Sequence, residues 1–379
     1  MNGRHIAMLS WRDVGNPEGG GAEHYLERIA TGLVERGAKV TVVTAAYPGA
    51  PAEETIDGVR YVRRGGKLTV YLAALLVLLR RRLPGGIGRV DAVVDVQNGL
   101  PFFSRLVTRL PVVVLVHHVH REQWPVVYPG RVGRMGWWIE SRVAPRLYRH
   151  CQYVTVSRAS RDELCRLGVD IARIAVVHNG ADSAVVDRPE RTAHPSICVV
   201  GRLVPHKRVE LAIDAVAALR SELPELRLTV VGSGWWEDEV KEYAARRGVA
   251  DAVEFTGFVD EATKADVYER SWVMALPSLK EGWGLVVSEA ARFGTPTVAF
   301  RSAGGTQESV SDGVSGLLVD EPAEFVEALR LVLTDDVERK ELSQGALAHA
   351  GEFSWTRSRA AFADVAETTM AGGLTATTD

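Results

Sequence analysis

The stretch Ser196-Ile197-Cys198-Val199-Val200-Gly201-Arg202-Leu203-Val204-Pro205-His206-Lys207-Arg208 reads as a short strand that runs into a glycine turn and a basic loop. An unbroken β-branched run, with no polar alternation, marks a strand covered on both faces. Downstream the same rhythm returns at Leu226–Val231, Val253–Phe255, Val273–Pro277, Pro296–Phe300 and Gly316–Val319, each followed by a turn or a helix. Upstream it appears at His5–Ser10, Lys39–Thr44, Val90–Val96, Pro111–His117, Gln152–Ser157 and Ile174–His178. Helical patterns cover Ala22–Arg36 and begin again near Ser160. Strands alternating with helices predict parallel sheets. Two such series predict an α/β protein of two Rossmann-like domains facing across a cleft. The expected domains are residues 1–185 and 186–352, with a helix near 355–370 packing back onto the first. The join is expected at Asp182–Pro195, where charge and proline break the pattern, and the tail Gly372–Asp379 carries no pattern. Ligands of open α/β sheets bind beyond the carboxyl ends of the strands, so the cleft is the expected active site.

Of the 379 residues, 46% are hydrophobic and 25% charged, which matches a soluble globular enzyme and excludes disordered or fibrous classes. Cys151, Cys165 and Cys198 form no C-x-x-C pair; this excludes a disulfide framework and argues against a zinc cluster. No apolar signal segment precedes the first strand, so a reducing cytoplasmic location is expected. The net charge of −3 hides a split: residues 1–185 carry 25 Lys and Arg against 16 Asp and Glu, leaving 20 against 32 for the rest. The first half is thus at +9 and the second at −12. A positive field concentrated between Arg60 and Arg166 favours phosphate-bearing or anionic-surface partners. The longest apolar run, Leu68–Leu79, lies between Lys67 and Arg80-Arg81-Arg82. It falls short of the roughly 20 residues that span a bilayer. Two readings stand, a helix packed in the domain or one lying in the plane of a membrane surface.

The sharpest chemical feature is Glu281-Gly282-Trp283-Gly284-Leu285-Val286-Val287-Ser288-Glu289, between a strand and a helix. Small residues at such a turn let backbone N–H groups approach a ligand, and the helix start favours phosphate. The two carboxylates are suited to accept hydrogen bonds from sugar or ribose hydroxyls. In the opening stretch, Arg202 and Lys207 are placed to converge on a diphosphate, the arginine as a fork and the lysine as a point charge. A third feature is the loop Gly15–Glu23, whose Gly19-Gly20-Gly21 precedes a helix; it reads as a phosphate approach or as a plain connector.

These residues resemble the GT-B glycosyltransferases of the retaining, nucleotide-sugar-dependent GT4 type. The resemblance rests on Glu281-x7-Glu289, Gly201-Arg202 with Lys207, Gly19–Gly21, His178-Asn179-Gly180-Ala181-Asp182 and Gly304-Gly305-Thr306-Gln307-Glu308. It covers essentially the whole chain. It implies that the second domain holds the nucleotide sugar, with Arg202 and Lys207 on the diphosphate, Glu289 on the ribose and Glu281 on the donor sugar. It also implies donor contacts from Gly20, Gly21, Gly282, Gly284, Leu285 and Val286, with Phe258 bordering the base. Where members often carry Glu-Lys-Gly, this chain reads His206-Lys207-Arg208. The family usually supplies a histidine after a strand of the first domain, and counting from Pro111 selects His117, with His118 one register step away. Trp124, Trp137 and Trp138, downstream, read as core or as an acceptor lining.

The resemblance further implies a front-face reaction in which the departing diphosphate takes the acceptor's proton, without a protein nucleophile. No D-x-D element is present, so no cofactor and no essential metal are expected, and no nucleic-acid partner is indicated. The acceptor is expected to be either lipid-linked, with peripheral contact of the basic domain at the inner membrane face, or a soluble small molecule. The rival functions are a nucleotide-sugar epimerase of the same fold and an NAD-dependent oxidoreductase. The latter is suggested by Gly232-Ser233-Gly234, whose third glycine is missing.

Overall fold

The apolar runs become the strands of two sheets in the computed structural model, which describes residues 1–181 and 190–377. The first sheet contains β1 (His5–Leu9), β2 (Lys39–Thr44), β3 (Glu53–Ile56), β4 (Val59–Arg63), β5 (Ala92–Gln97), β6 (Val112–Val116), β7 (Gln152–Thr155) and β8 (Ile174–Val176). Their order is β3-β4-β2-β1-β5-β6-β7-β8. All neighbours are parallel except β3, which pairs antiparallel with β4. The second sheet contains β9 (Ser196–Val200), β10 (Arg227–Val231), β11 (Val253–Gly257), β12 (Val273–Leu276), β13 (Thr297–Phe300) and β14 (Gly316–Val319). It is wholly parallel, in the order β11-β10-β9-β12-β13-β14. Each is a Rossmann-like sheet, and the architecture is that of the GT-B fold.

Each sheet grows outward from its first strand and then reverses, so a switch point lies between β1 and β5 and another between β9 and β12. The loops leaving these strands are where an open parallel sheet can receive a ligand. The central strands are buried on both faces, as their unbroken apolar runs require: Ile197, Leu228, Val273 and Val298 are fully buried in one core, and Ala7, Val93, Val114 and Val116 in another. Each large aliphatic side chain so buried contributes roughly 1.5–3 kcal/mol.

The compact units are Met1–Asn179 with Trp355–Asp379, and Gly180–Ser354. Most of the expected join at Asp182–Pro195 lies on residues 182–189, outside the described residues. The first unit ends before residue 185 because Ala181 already pairs with the second, its N–H donating to the Phe353 carbonyl at 3.1 Å beside a bridge to Ser354. The helix Trp355–Met370 belongs to the first unit and packs on the helix Gly21–Glu35, burying Phe362, Ala363 and Ala366. The tail expected to lack structure is in part ordered. Thr375 N–H donates to Gln152 Oε1 at 2.7 Å and Gln152 Nε2 donates back to the Thr375 carbonyl at 2.8 Å. Thr377 then bonds Ile174 and Val176 of β8.

The apolar run Leu68–Leu79 is divided. As the helix Val70–Leu79 it buries Val70, Ala74 and Leu78 against the sheet, while Leu72, Leu76 and Leu79 are exposed. No helix among the described residues is long and apolar enough to cross a membrane.

Candidate active site

At the switch point of the second sheet, the loop after β9 and the loop after β12 are joined by main-chain and side-chain bonds. Leu279 N–H donates to the His206 carbonyl at 2.8 Å. The Arg208 guanidinium donates to the carbonyls of Pro277 at 2.7 Å and Ser278 at 3.2 Å. Across this seam Lys207 Nζ meets Glu281 Oε1 at 2.5 Å, with 22% and 11% of the two side chains exposed. A cation and a carboxylate expected to serve phosphate and sugar are thus in direct contact. Arg208 sits at φ 48°, the left-handed region that glycine enters without steric cost. The loop therefore keeps the backbone a glycine would give it, held by the two carbonyls and by the guanidinium lying 4.4 Å from the Phe300 ring centroid.

Glu281 is fixed through its backbone, whose N–H donates to the Ala303 carbonyl at 2.8 Å and whose carbonyl accepts from Gly305 at 3.1 Å. Gly284, at φ 86°, turns the chain into the short helix Leu285–Ala291. Trp283 is buried beneath the turn, its indole N–H donating to Ser288 Oγ at 3.0 Å. Glu289, on that helix, accepts from Tyr268 Oη at 2.8 Å and from Lys264 Nζ at 3.1 Å, both on Oε2. Burial would lower the Lys264 pKa, but the carboxylates of Glu289 and Glu261 outweigh it and the net shift is upward. Gly232 supports the same site from behind, because a Cβ there would stand 2.1 Å from the Gly201 carbonyl oxygen. The glycines that suggested a dinucleotide fingerprint thus serve close packing of the loops after β9 and β10.

In the first unit, His117 follows β6 and is buried, its ring edge-on to Tyr25 at 5.3 Å. Burial, with a smaller push from His120, lowers its pKa to about 4, so the ring is neutral near pH 7. Its Nε2 is buried and meets no hydrogen-bond partner. His118 lies partly buried with Nε2 at 3.1 Å from Gln123 Oε1. His120 Nε2 approaches Asn98 Oδ1 at 2.8 Å, tying the loop after β6 to the loop after β5, while its Nδ1 stands 3.0 Å from Glu140 Oε1. Glu140 is fully buried in a π-turn, Ile139–Val143, and also accepts from Trp124 Nε1 at 2.6 Å. Among the described residues no group of three or more His, Cys, Asp or Glu is placed to hold a metal ion.

Residues 185–349 match the family described as Glycosyl transferases group 1, and residues 19–185 match Glycosyltransferase Family 4. The D-inositol 3-phosphate glycosyltransferase of Geodermatophilus obscurus is 30% identical, over 93% of this chain and 87% of its own. The chain is a family 4 glycosyltransferase. The fold agrees with solved structures. Sucrose-phosphate synthase from Thermosynechococcus elongatus has a TM-score of 0.82 at 19% identity, covering 98% of this chain and 100% of its own. Anabaena HepE, solved in complex with UDP and glucose, has a TM-score of 0.73 at 21% identity, covering 96% and 99%.

In this family 4 glycosyltransferase, the structure brings together Lys207 and Glu281 on one seam, and Gly282, Gly284, Leu285 and Val286 on the turn that follows; Arg202 lies on the loop after β9. Phe258 stands just beyond β11 and is 85% exposed. Gly20 and Gly21 open the helix Gly21–Glu35, but the Gly20 N–H already donates to Glu23 Oε2 at 2.8 Å. That loop is held by Glu23 in a capping arrangement and is more than a loose connector. Trp124 and Trp137 are packed inward, whereas Trp138 is exposed. Sequence reading missed Lys264 and Tyr268, which share a helix face at spacing four and orient Glu289. It also missed Asn98, His120 and Glu140. The third histidine of His117-His118-Val119-His120 was the available signal.

Proposed function

We propose that this glycosyltransferase moves a sugar from a nucleoside diphosphate sugar to an acceptor hydroxyl with retention at the anomeric carbon. The observation that carries the reading is the Lys207–Glu281 contact of 2.5 Å at the β9–β12 switch point. It supplies a cation for a diphosphate and a carboxylate for a sugar hydroxyl in one place. As the bond between the anomeric carbon and the diphosphate oxygen breaks, Arg202 and Lys207 stabilise the charge growing on that oxygen. The acceptor oxygen bonds the same carbon from the same face, and its proton passes to the departing diphosphate. With Arg202 and Lys207 as the counter-charge, the proposed reaction uses neither a metal nor a cofactor. Glu289, oriented by Lys264 and Tyr268, accepts from the ribose. The neutral His117 offers its buried, unpaired Nε2 to a donor-sugar hydroxyl, which would satisfy a nitrogen otherwise costly to bury. The HepE complex with UDP and glucose and the D-inositol 3-phosphate glycosyltransferases support a uridine-linked donor and a small hydroxylated acceptor. The three free cysteines suit a reducing, cytoplasmic setting.

The test is a screen of nucleoside diphosphate sugars for thermal stabilisation, then product analysis by NMR with the best donor. Nucleoside diphosphate released only when acceptor is present, with a product of the donor's anomeric configuration, is the expected result. An inverted product would overturn retention. An epimerised nucleotide sugar formed without acceptor would overturn transfer.

A further inference from the structure

The first unit exposes apolar side chains in two stripes on one face of its sheet. On the helix Val70–Leu79 and its flanks, Leu68, Leu72, Leu76, Leu79 and Leu83 are exposed, Leu72 at 67%. The second stripe, Val132, Met135 and Trp138, belongs to the helix Arg131–Trp138. The helices lie on the same side because Val70, Ala74 and Leu78 share one core with Tyr148 and the partly buried Trp137 and Leu147. Right-handed crossovers from β4 to β5 and from β6 to β7 require the same placement.

Around these stripes basic residues prevail, although Arg64 pairs with Glu53 and Lys67 with Glu18. Residues 64–90 hold six Lys and Arg and no acid. Near the second stripe, Arg131, Arg134, Arg142, Arg146 and Arg149 face only Glu140, which is buried against His120 and Trp124. Among the described residues, Arg80, Arg82, Arg89, Arg131, Arg134 and Arg142 make no ion pair. A helix apolar on every side is ordinarily covered on every side, and large exposed apolar patches mark contact surfaces. Here the uncovered side is flanked by unpaired guanidinium groups. A protein partner would have to answer both the leucines and the arginines with a matching set; an anionic bilayer answers both at once, with acyl chains beneath phosphate headgroups.

We propose that this face docks on an anionic lipid bilayer, with Leu72, Leu76 and Trp138 entering the headgroup–acyl boundary and the arginines on the phosphates. Docked so, and resting on the transfer reading above, the enzyme would meet its small hydroxylated acceptor as a lipid headgroup. The surface belongs to the N-terminal unit alone, so vesicle binding and nucleoside diphosphate binding fail independently.

The test is co-sedimentation of the full chain with vesicles of phosphatidylglycerol and phosphatidylcholine, against phosphatidylcholine alone, with nucleoside diphosphate binding measured on the same preparations. Binding to the anionic vesicles only, weakened by salt, is expected. It should fall about tenfold in Leu72→Gln/Leu76→Gln and about tenfold in Arg80→Gln/Arg82→Gln, and all these side chains are exposed enough to leave the fold intact. Absence of binding to anionic vesicles at low salt would overturn the proposal, as would equal binding to neutral vesicles or unchanged binding in both variants. A wild-type dimer that does not bind vesicles, and that the leucine variant turns into a monomer, would assign the face to a second copy of the chain instead.

Discussion

The ends of β12 and β6 present two electrostatic environments built by the same kind of sheet. Beyond β12, Lys207 and Glu281 are in contact and partly open to solvent. Beyond β6, His117 is buried and held uncharged. The difference follows from what surrounds each group. Glu281 stands on a turn fixed by backbone bonds beside a basic loop, whereas His117, directly after β6, packs against Tyr25 and the core. Paired charges suit a leaving group whose negative charge grows during reaction, and a neutral imidazole suits a hydroxyl that stays neutral.

The strongest way to break that contrast is Glu281→Ala. Turnover should fall by about a hundredfold or more, while nucleoside diphosphate affinity, measured calorimetrically, stays close to wild type. A parallel loss of affinity would mean that Glu281 acts on the nucleotide, through Lys207, and not on the sugar. Next is the pH dependence of stability. The folded pKa of His117 lies below its ordinary value, so the unfolded chain takes up the proton first as pH falls. The stability is fully present above pH 6.5 and is lost as pH drops to about 4; this one group accounts for up to about 3 kcal/mol. Urea unfolding across that window should show a shallower pH slope for His117→Gln. An identical slope in both proteins would remove the buried neutral imidazole from the comparison.

Glu289→Gln is expected to weaken nucleoside diphosphate binding by about 1.5–3 kcal/mol, the worth of a hydrogen bond to a charged group. Titration calorimetry decides it. Unchanged affinity would restrict Glu289 to clamping Lys264 and Tyr268. The smallest effect is expected from Arg208→Gly. Relief of a left-handed backbone, about 1–2 kcal/mol, offsets two lost hydrogen bonds of about 1 kcal/mol each. Stability should move by no more than about 1 kcal/mol, and turnover should hold. Collapse of turnover would show that the guanidinium, not the backbone shape, sets the loop.

The central strands were legible because both of their faces are buried, which leaves unbroken β-branched runs such as Val112–Val116. The hairpin of β3 and β4 was not, since Glu53-Glu54-Thr55-Ile56 is a polar edge strand with no apolar run. Its signal lay in the turn: Asp57 and Gly58 both take positive φ, the requirement of a two-residue hairpin. At the site, the glycine spacing after Glu281 pointed to the turn. The partners of the two glutamates were hidden because Lys207 is 74 residues from Glu281 and Tyr268 is 21 from Glu289. The His120–Glu140 contact was hidden for the same reason, since it joins the loop after β6 to a helix 20 residues on.

The return of Trp355–Met370 to the helix Gly21–Glu35, with Thr375 and Thr377 along β8, bears on the order of events during synthesis. Every residue of the second unit leaves the ribosome before those segments do. The second unit can therefore close its core while the first, although begun earlier, still lacks one of its covering helices and leaves Tyr25 without the Trp355 ring that stands 6.0 Å from it. A chaperone that binds exposed apolar surface on the nascent chain would meet the older half of this protein, not the newer one.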